Sequence, residues 1–531
     1  MASPAGSEFT AAESALLGRY FTNMERPVFA LRNLPEVVKG ALFSRYSRTE
    51  KSLRRVLLEE FVNAPETGFG ALADDSPRGV EDLVAARRAE EFYERVLVGY
   101  GDDSVAELAG AHLACEQTSL LAAKALEDSR IGISPLEKST RYVRFDRAGP
   151  DGRFLYLRAQ ELAHPAYEPA MERLFTAYSA MVAPLTERVR AEHPVEKDES
   201  ERAWKAATRA RALDLLRGLL PASTLTNLGL FGNGRAFEYL VTKLAGHELP
   251  ECRRLAEALH RELSAVIPSF VRRALDDRHG LPAAARIGRM REALSLIAPR
   301  EPRAPAPAAV RLVEHDPDAE RKVLRAALFG RSDMPLDEVA GGEDLDRVMD
   351  VIMGDRANRR QRAPRALEHA TYTFEIVANF AAYRDLHRHR MLSQDRQALG
   401  TRLGYEVPAE MERLGFGARF RDAVDGAATA QRRLEDDLGP DLAQYAVPIA
   451  FRLRWYVRAN LREVYHLCEL RTTPQGHPDY RFVAQEMFRR VQEVHPRLAR
   501  HASFVDMGAG DELERRQGER RIDERRARLA R

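Results

Sequence analysis

The chain has 531 residues, 44% hydrophobic and 31% charged, enough for a large core and, by length, about two to four domains. Lys+Arg 82 against Asp+Glu 80 leaves a net charge of +2, so no global basic field points to nucleic acid. No run of eighteen apolar residues occurs, and Met1 to Thr10 lacks a basic region followed by an apolar stretch, so membrane spanning and secretion are not expected.

Residues 1–65 read as a helical lead-in, with Leu53, Val56, Leu57 and Phe61 on one face and Arg54, Arg55, Glu59 and Glu60 on others. Asn63-Ala64-Pro65 ends it, and Gly68, Gly70 and Pro77 mark a loop over 66–80. Helices are expected from about Val80 to Tyr100, from about Asp103 to Glu127, and over 160–190 and 199–220, where Pro221 breaks the last. Phe231-Gly232-Asn233-Gly234-Arg235 reads as a tight turn feeding another helix, and helices at about 250–277 and 283–297 follow. Four prolines in Ala298–Pro307 make a stiff spacer with no capacity for a core, which marks a domain boundary. Val310–Val313 then reads as a fresh strand and Asp318–Leu328 as a helix.

Tyr372, Phe374 and Ile376 alternate with Thr371, Thr373 and Glu375, a strand period, and Ile376, Phe380 and Tyr383 fall at helical spacing. Arg388-His389-Arg390 therefore sits at or just past a helix end, behind a half-buried strand. Two guanidiniums flanking an imidazole suit a planar anion, a phosphate or the pyrimidine edge of a flavin or uracil; a solvated basic helix end is the plain alternative. The tail over 511–531 is Arg/Glu-rich with almost no apolar face, as in a solvated helix, a disordered segment or a phosphate-binding arm. Cys115, Cys252 and Cys468 lie far apart and read as buried thiols of a reducing cytoplasm. No Walker loop, no Gly-x-Gly-x-x-Gly after a strand and no metal-ligand spacing is present; His112, His247, His260 and His466 stand isolated, so no metal is expected. The preference for Arg and Ala over Lys suggests a GC-rich bacterial genome.

Glu368-His369, the Thr/aromatic alternation, Arg384 and Arg388-His389-Arg390 together resemble the signature of the flavin-dependent thymidylate synthases, the thymidylate synthase complementing proteins. Arg388 follows Glu368 by twenty residues, the spacing of that family. The family motif continues to a Ser where this chain has Ala398, and to a Glu where it has Arg396. The first half holds what the second lacks. Gly101-Asp102-Asp103-Ser104-Val105-Ala106-Glu107 is similar to the approach segment, and Glu137, Ser139, Arg141 and Tyr142 match the Glu-x-Ser-x-Arg-Tyr end. Ser129-Arg130-Ile131 stands where Arg-His-Arg is expected. A second block repeats as well: Arg217 and Asn233-Gly234-Arg235 correspond to Gln444 and Asn460-Leu461-Arg462, and Pro221 corresponds to Pro448. Arg471 corresponds to Leu244, with Lys243 adjacent.

The resemblance implies an α+β fold, helix-rich overall, with two tandem domains, each a sheet packed with long helices. The expected boundaries are a lead-in over 1–80, a degenerate domain over 81–297, a linker over 298–309, a second domain over 310–505 and a charged tail over 506–531. It implies reductive methylation of dUMP to dTMP, with FAD as cofactor and NADPH and methylenetetrahydrofolate as co-substrates. Arg388, Ser139 and Arg141 are the implied catalytic residues. Arg388, His389, Arg390, Met391, Asn460, Arg462 and Ser104 would contact the cofactor, and Glu137, Ser139, Arg141, Arg217, Arg384 and Arg471 the nucleotide. His477 falls two residues from where the family places a flavin-contacting His. The complementary losses imply a composite site built from both halves, in a homodimer. Two other readings fit the same residues: a flavoenzyme alkylating another uracil nucleotide, and an inactive homologue that binds nucleotide or a protein partner.

Overall fold

The structure, a computed structural model, describes residues 9–34, 36–47, 49–63, 106–129, 131–146, 149, 152–197, 199–299, 305–339, 344–510, 513 and 515–529. The loop expected over 66–80, the helix expected from Val80 to Tyr100, and Ser104 lie outside the described residues. The chain divides into two compact units. One comprises Met1–Cys115, Ala125–Leu136 and Leu228–Pro299; the other comprises Glu116–Lys124, Glu137–Asn227 and Arg300–Arg531.

In the first unit, α1 (Ala11–Leu17) opens with a reciprocal cap: the Thr10 hydroxyl accepts from the Glu13 amide while Glu13 accepts from the Thr10 amide at 2.7 Å. α2 (Glu36–Tyr46) and α3 (Leu53–Val56) follow, and α3 widens through Leu57–Val62. Leu53, Val56, Leu57 and Phe61 are buried, as their periodicity predicts. The helix expected from Asp103 to Glu127 needs correction. Gly110–Ser119 is strand β1, and only Leu120–Glu127 is helical, as α4. Ala-rich composition favours helix, but pairing with a neighbouring strand overrides that weak preference.

Strand β2 (Ile133–Glu137) comes next, and α5 (Tyr167–Glu192) and α6 (Glu201–Leu216) lie between it and β3 (Leu225–Asn233). β3 is central in a sheet of order β1-β3-β2, and the unit boundary falls inside all three strands. The expected tight turn at 231–235 is instead the end of β3 running into α7 (Gly234–Ala245). Helix α7 buries Leu240, Val241 and Leu244, α8 (Pro250–Ser264) buries Cys252, Ala256, Leu259 and Leu263, and the two pack together. α9 (Gly280–Ile297) closes this unit.

The second unit is built on an antiparallel sheet of order β4-β5-β7-β6, with β4 (Ala309–His315), β5 (Thr371–Asn379), β6 (Ser393–Arg396) and β7 (Arg452–Asn460). All nine residues of β5 pair with β7, from Thr371 opposite Asn460 to Asn379 opposite Arg452. Tyr372, Phe374 and Ile376 are buried on one face of β5, each contributing about 1.5–3 kcal/mol by leaving water. Besides α5 and α6, its helices include α10 (Ala319–Phe329), α11 (Leu345–Met353), α12 (Phe380–Leu386), α13 (Gly417–Leu438), α14 (Leu461–Arg471), α15 (Pro478–Val494) and α16 (Arg515–Leu529). α15 packs on β4 and β5, and α5 packs on both α6 and α13.

The two repeats meet inside this unit. The matched residues Pro221 and Pro448 form an antiparallel bridge. Ala222 N–H donates to the Val447 carbonyl and Ile449 N–H to the Leu220 carbonyl, both at 2.9 Å. Ser223 N–H donates to Tyr445 at 3.0 Å and Ala450 N–H to Gly218 at 3.1 Å. Each bond has its mate running the other way, so the repeats pair about a local twofold axis. A Cβ at Gly218 would lie 3.0 Å from the Phe420 ring and 3.1 Å from Ala450 Cβ, so the close approach needs glycine.

One joint recurs at four strand ends. Ser119, Asn233, Asn379 and Asn460 each cap the helix that follows, accepting from the amides of Ala122, Ala236, Ala382 and Glu463. Among the described residues no helix is long and apolar enough to cross a membrane. Cys115, Cys252 and Cys468 are buried free thiols.

Candidate active site

Two of the four joints, those capped by Ser119 and Asn379, place a cation at the fifth residue of the following helix, Lys124 in α4 and Arg384 in α12. Both turn to one carboxylate, Glu137 at the end of β2. Lys124 Nζ donates to Glu137 Oε2 at 3.0 Å, Arg384 donates to Oε1, and Arg388 donates to Oε2 at 3.1 Å. The Glu137 side chain is fully buried and Lys124 and Arg384 nearly so, while about a third of Arg388 remains exposed. Glu137 of the first repeat thus orients Arg388 of the second.

Beside this cluster lies a second carboxylate, Asp385. Arg217 donates to it at 3.1 Å. Burial alone would raise the Asp385 carboxyl, but Arg217, Arg388, Arg141 and Arg471 outweigh it and hold it well below the usual carboxylate range. Arg217 is 3% exposed, and its buried Nε and Nη2 have no partner among the described residues. Two orphaned guanidinium donors in a buried site suit an arriving oxyanion. Arg141 is already held. It makes a bidentate pair with Asp214 at 2.9 and 3.0 Å and donates to the Tyr480 hydroxyl at 3.1 Å. Tyr480 lies between Arg141 and Arg471, each guanidinium 5.7 Å from its ring centre. Ser139 caps the turn that carries Arg141, accepting from its amide at 3.2 Å.

His389, just past the end of α12, is 4% exposed and uses both ring nitrogens. Arg471 Nε–H donates to Nε2 at 2.9 Å, which makes that nitrogen the acceptor. The proton therefore sits on Nδ1 and is donated to Glu463 Oε1, also at 2.9 Å. His389 acts as a neutral link between Arg471 at the end of α14 and Glu463 in its first turn. Asn460 Oδ1 caps α14, and Arg462 donates to Glu368 Oε1 at 2.7 Å and to the Ala363 carbonyl.

A cavity of about 580 Å³ opens here, within the range of small-molecule sites. Its wall includes Arg388, His389, Arg390, Met391, Asn460, Arg462 and Arg471. Arg356, Arg359 and Arg362 add cations from a segment that sequence reading passed over. Arg356 is fixed by a bidentate pair with the buried Glu469, at 2.7 and 2.6 Å, while Arg359 and Arg362 are exposed. Seven arginines against Glu368, Glu463 and Glu469 leave a surplus of positive charge, which fits a cofactor carrying a pyrophosphate. His389, Glu463 and His466 also bring ligand atoms within 4.8 Å of one another, so His466 is not isolated as expected. Both nitrogens of His389 are committed, so its imidazole offers no free lone pair to an ion in that trio.

The structure gathers Glu137, Ser139, Arg141, Arg217, Arg384, Arg388 and Arg471 in one unit. Sequence reading missed Lys124, Asp214, Asp385, Glu463 and Tyr480, the partners that fix them. Lys124 was the most accessible of these, since it holds the same helix position as Arg384.

The family model of thymidylate synthase complementing protein matches residues 59–269 and 311–497. A UPF0159 protein of Chlamydia muridarum is 42% identical over 95% of this chain and 97% of its own length. A UPF0159 protein of Thermoplasma acidophilum is 33% identical over 88% of this chain and 95% of its own. The flavin-dependent thymidylate synthase of Geobacter sulfurreducens is 30% identical over 36% of this chain and 86% of its own. A solved UMP/dUMP methylase, PolB of Streptomyces cacaoi, is 19% identical with a TM-score of 0.33, over 38% of this chain and 96% of that one. With both repeats matched in tandem, the chain belongs to the thymidylate synthase complementing protein family.

Proposed function

We propose that the chain methylates carbon 5 of dUMP reductively, with methylenetetrahydrofolate as carbon donor, NADPH as reductant and FAD held in the cavity around Arg388-His389-Arg390. One observation carries the reading: guanidiniums from both repeats surround Asp385 beside a cavity lined by the residues that the resemblance assigns to flavin. FAD, when bound, supplies the hydride chemistry. The remaining work belongs to the chain. Arg217, with two orphaned donors, and Arg471 take the nucleotide phosphate, a dianion near neutral pH, and Arg141 adds its charge beside them. Arg388, held by Glu137, polarises the uracil carbonyl where charge develops as carbon 5 becomes nucleophilic. Glu137 acts as a positioning residue, because its oxygens are committed to cations. Ser139 shapes the turn that presents Arg141.

Arg390, Met391, Asn460 and Arg462 line the cavity proposed for flavin; Ser104, the contact the resemblance implies from the first repeat, lies outside the described residues. The family's sites lie between subunits, so two copies of this two-repeat chain are the expected assembly. The direct test uses dUMP tritiated at carbon 5. Tritium release should require FAD, NADPH and methylenetetrahydrofolate together. No release with all of them present would contradict the proposal.

A further inference from the structure

Helix α16 buries none of its residues and is docked by charge. Arg516 pairs with Glu199 at 3.0 Å and with Glu196, and Arg520 pairs with Glu196 as well. From α6, Arg202 pairs with Glu519 at 3.1 Å and with Asp523. Leu513, just before the helix, is the apolar anchor, 3% exposed. Such a dock is screened by salt far more than a buried apolar one. Its first residue enters the nucleotide-side cluster. Arg515 donates to Asp214 at 3.0 Å, to the Arg141 carbonyl at 3.3 Å, and lies 4.4 Å from the centre of the Tyr142 ring. Asp214 therefore serves two guanidiniums. Burial pushes its carboxyl up, but Arg141 and Arg515 prevail and hold it at about 2. Without Arg515, Asp214 would neutralise Arg141 one to one. With it, the trio keeps a net positive charge facing a small cavity lined also by Arg211 and Arg481.

We infer that the C-terminal helix is a salt-labile strap whose Arg515 is a positioning residue for the nucleotide site: it shares Asp214 with Arg141, fixes the Ser139–Tyr142 turn, and leaves Arg141 charge available to a nucleotide phosphate. This rests on the nucleotide reading above.

The test compares wild type, Arg515→Ala and Arg516→Glu, all loaded with FAD. The second variant repels Glu196 and Glu199 and undocks the strap while keeping Arg515. Three quantities are read: the dUMP dissociation constant at roughly 50 mM and roughly 500 mM salt, tryptic cleavage within the tail, and hydrogen exchange over residues 138–143. Arg516→Glu should expose the tail to trypsin, and each variant should weaken dUMP about tenfold at low salt, the loss of one charge-assisted contact. Wild type should approach the variants at high salt, and FAD retention should not change, since no tail residue lines the flavin cavity. A trypsin-sensitive tail with unaltered dUMP affinity would overturn the strap. A wild-type chain that binds no dUMP would overturn the nucleotide reading instead. In that case exchange over 138–143 decides alone, and protection unchanged in Arg516→Glu overturns the strap too.

Discussion

The two repeats make the same joint and put it to different use. In the second, Asn460 caps α14, the third residue of that helix is Glu463 and the eleventh is Arg471, and the two grip His389 from either side. In the first, Asn233 caps α7 identically, but the corresponding residues are Ala236, Leu244 and Ser129, the last counted ten residues on from the cap at Ser119 as His389 is from Asn379, a register one residue off the motif alignment. Three polar partners have been replaced by three that cannot form the link. The space closes as well: Gly132, at φ +84°, lets its loop press onto α7, where a Cβ would fall 2.7 Å from Ala236 Cβ. What both repeats keep is structural. Arg235 pairs with Glu107 at 3.0 Å as Arg462 pairs with Glu368 at 2.7 Å. Duplication has preserved the scaffold twice and the polar link once, while Glu137 of the first repeat supplies what Arg396 of the second does not.

The comparison breaks most easily at Glu137. Glu137→Ala would strand three cations around a buried site and should cost about 3–5 kcal/mol of stability, read by chemical denaturation. Arg396→Ala at the matching place removes a bond to Gln444 and should cost less than about 1.5 kcal/mol. Equal costs would mean the repeats are not divided as described. Next is the imidazole. His389→Ala leaves Glu463 and Arg471 facing each other without their link and should weaken FAD retention by about tenfold or more, one charged hydrogen bond being worth about 1.5–3 kcal/mol. Ser129→Ala, its counterpart in the first repeat, should leave retention unchanged.

Acid probes a different buried group of the second repeat, His477. His477 is buried and lies near Arg217, which together push its imidazole down to about 4. A folded value below the ordinary 6.5 favours the neutral form. The stability it contributes is therefore complete above 6.5 and is lost as pH falls from there toward about 4. Asp214, held at about 2, gives up its share only below its ordinary 3.8. Melting temperature should thus decline between pH 6.5 and 4 in the wild type and more gently in His477→Gln. An equal decline in both would remove His477 as the cause. The smallest effect is expected at the shared scaffold pair: Arg235→Ala breaks an ion pair more than half exposed on both sides and should change stability by less than about 1 kcal/mol.

Much of this was legible in the chain itself. The alternation at Tyr372, Phe374 and Ile376 predicted β5, and the matched positions of Pro221 and Pro448 predicted a repeat whose two copies turn out to touch. The residues that fix the site were not legible, because Asp214 and Asp385 look like any surface acid until distant arginines converge on them. β1 was missed for a different reason. Ala111 and Cys115 are buried with Leu113 half-buried between them, but the two buried side chains are short and give a weak strand signal beside a strong helical composition. The tail read as solvated, which describes its composition and its surface, yet ion pairs to α6 hold it in place.

The central claim is that each chain builds one working site from both repeats. Ligand stoichiometry tests it most directly. Released flavin counted after denaturation, with dUMP titrated calorimetrically into the loaded protein, should give about one FAD and about one dUMP per chain. Two of each per chain would mean that each repeat carries a site of its own, and the composite account would be wrong.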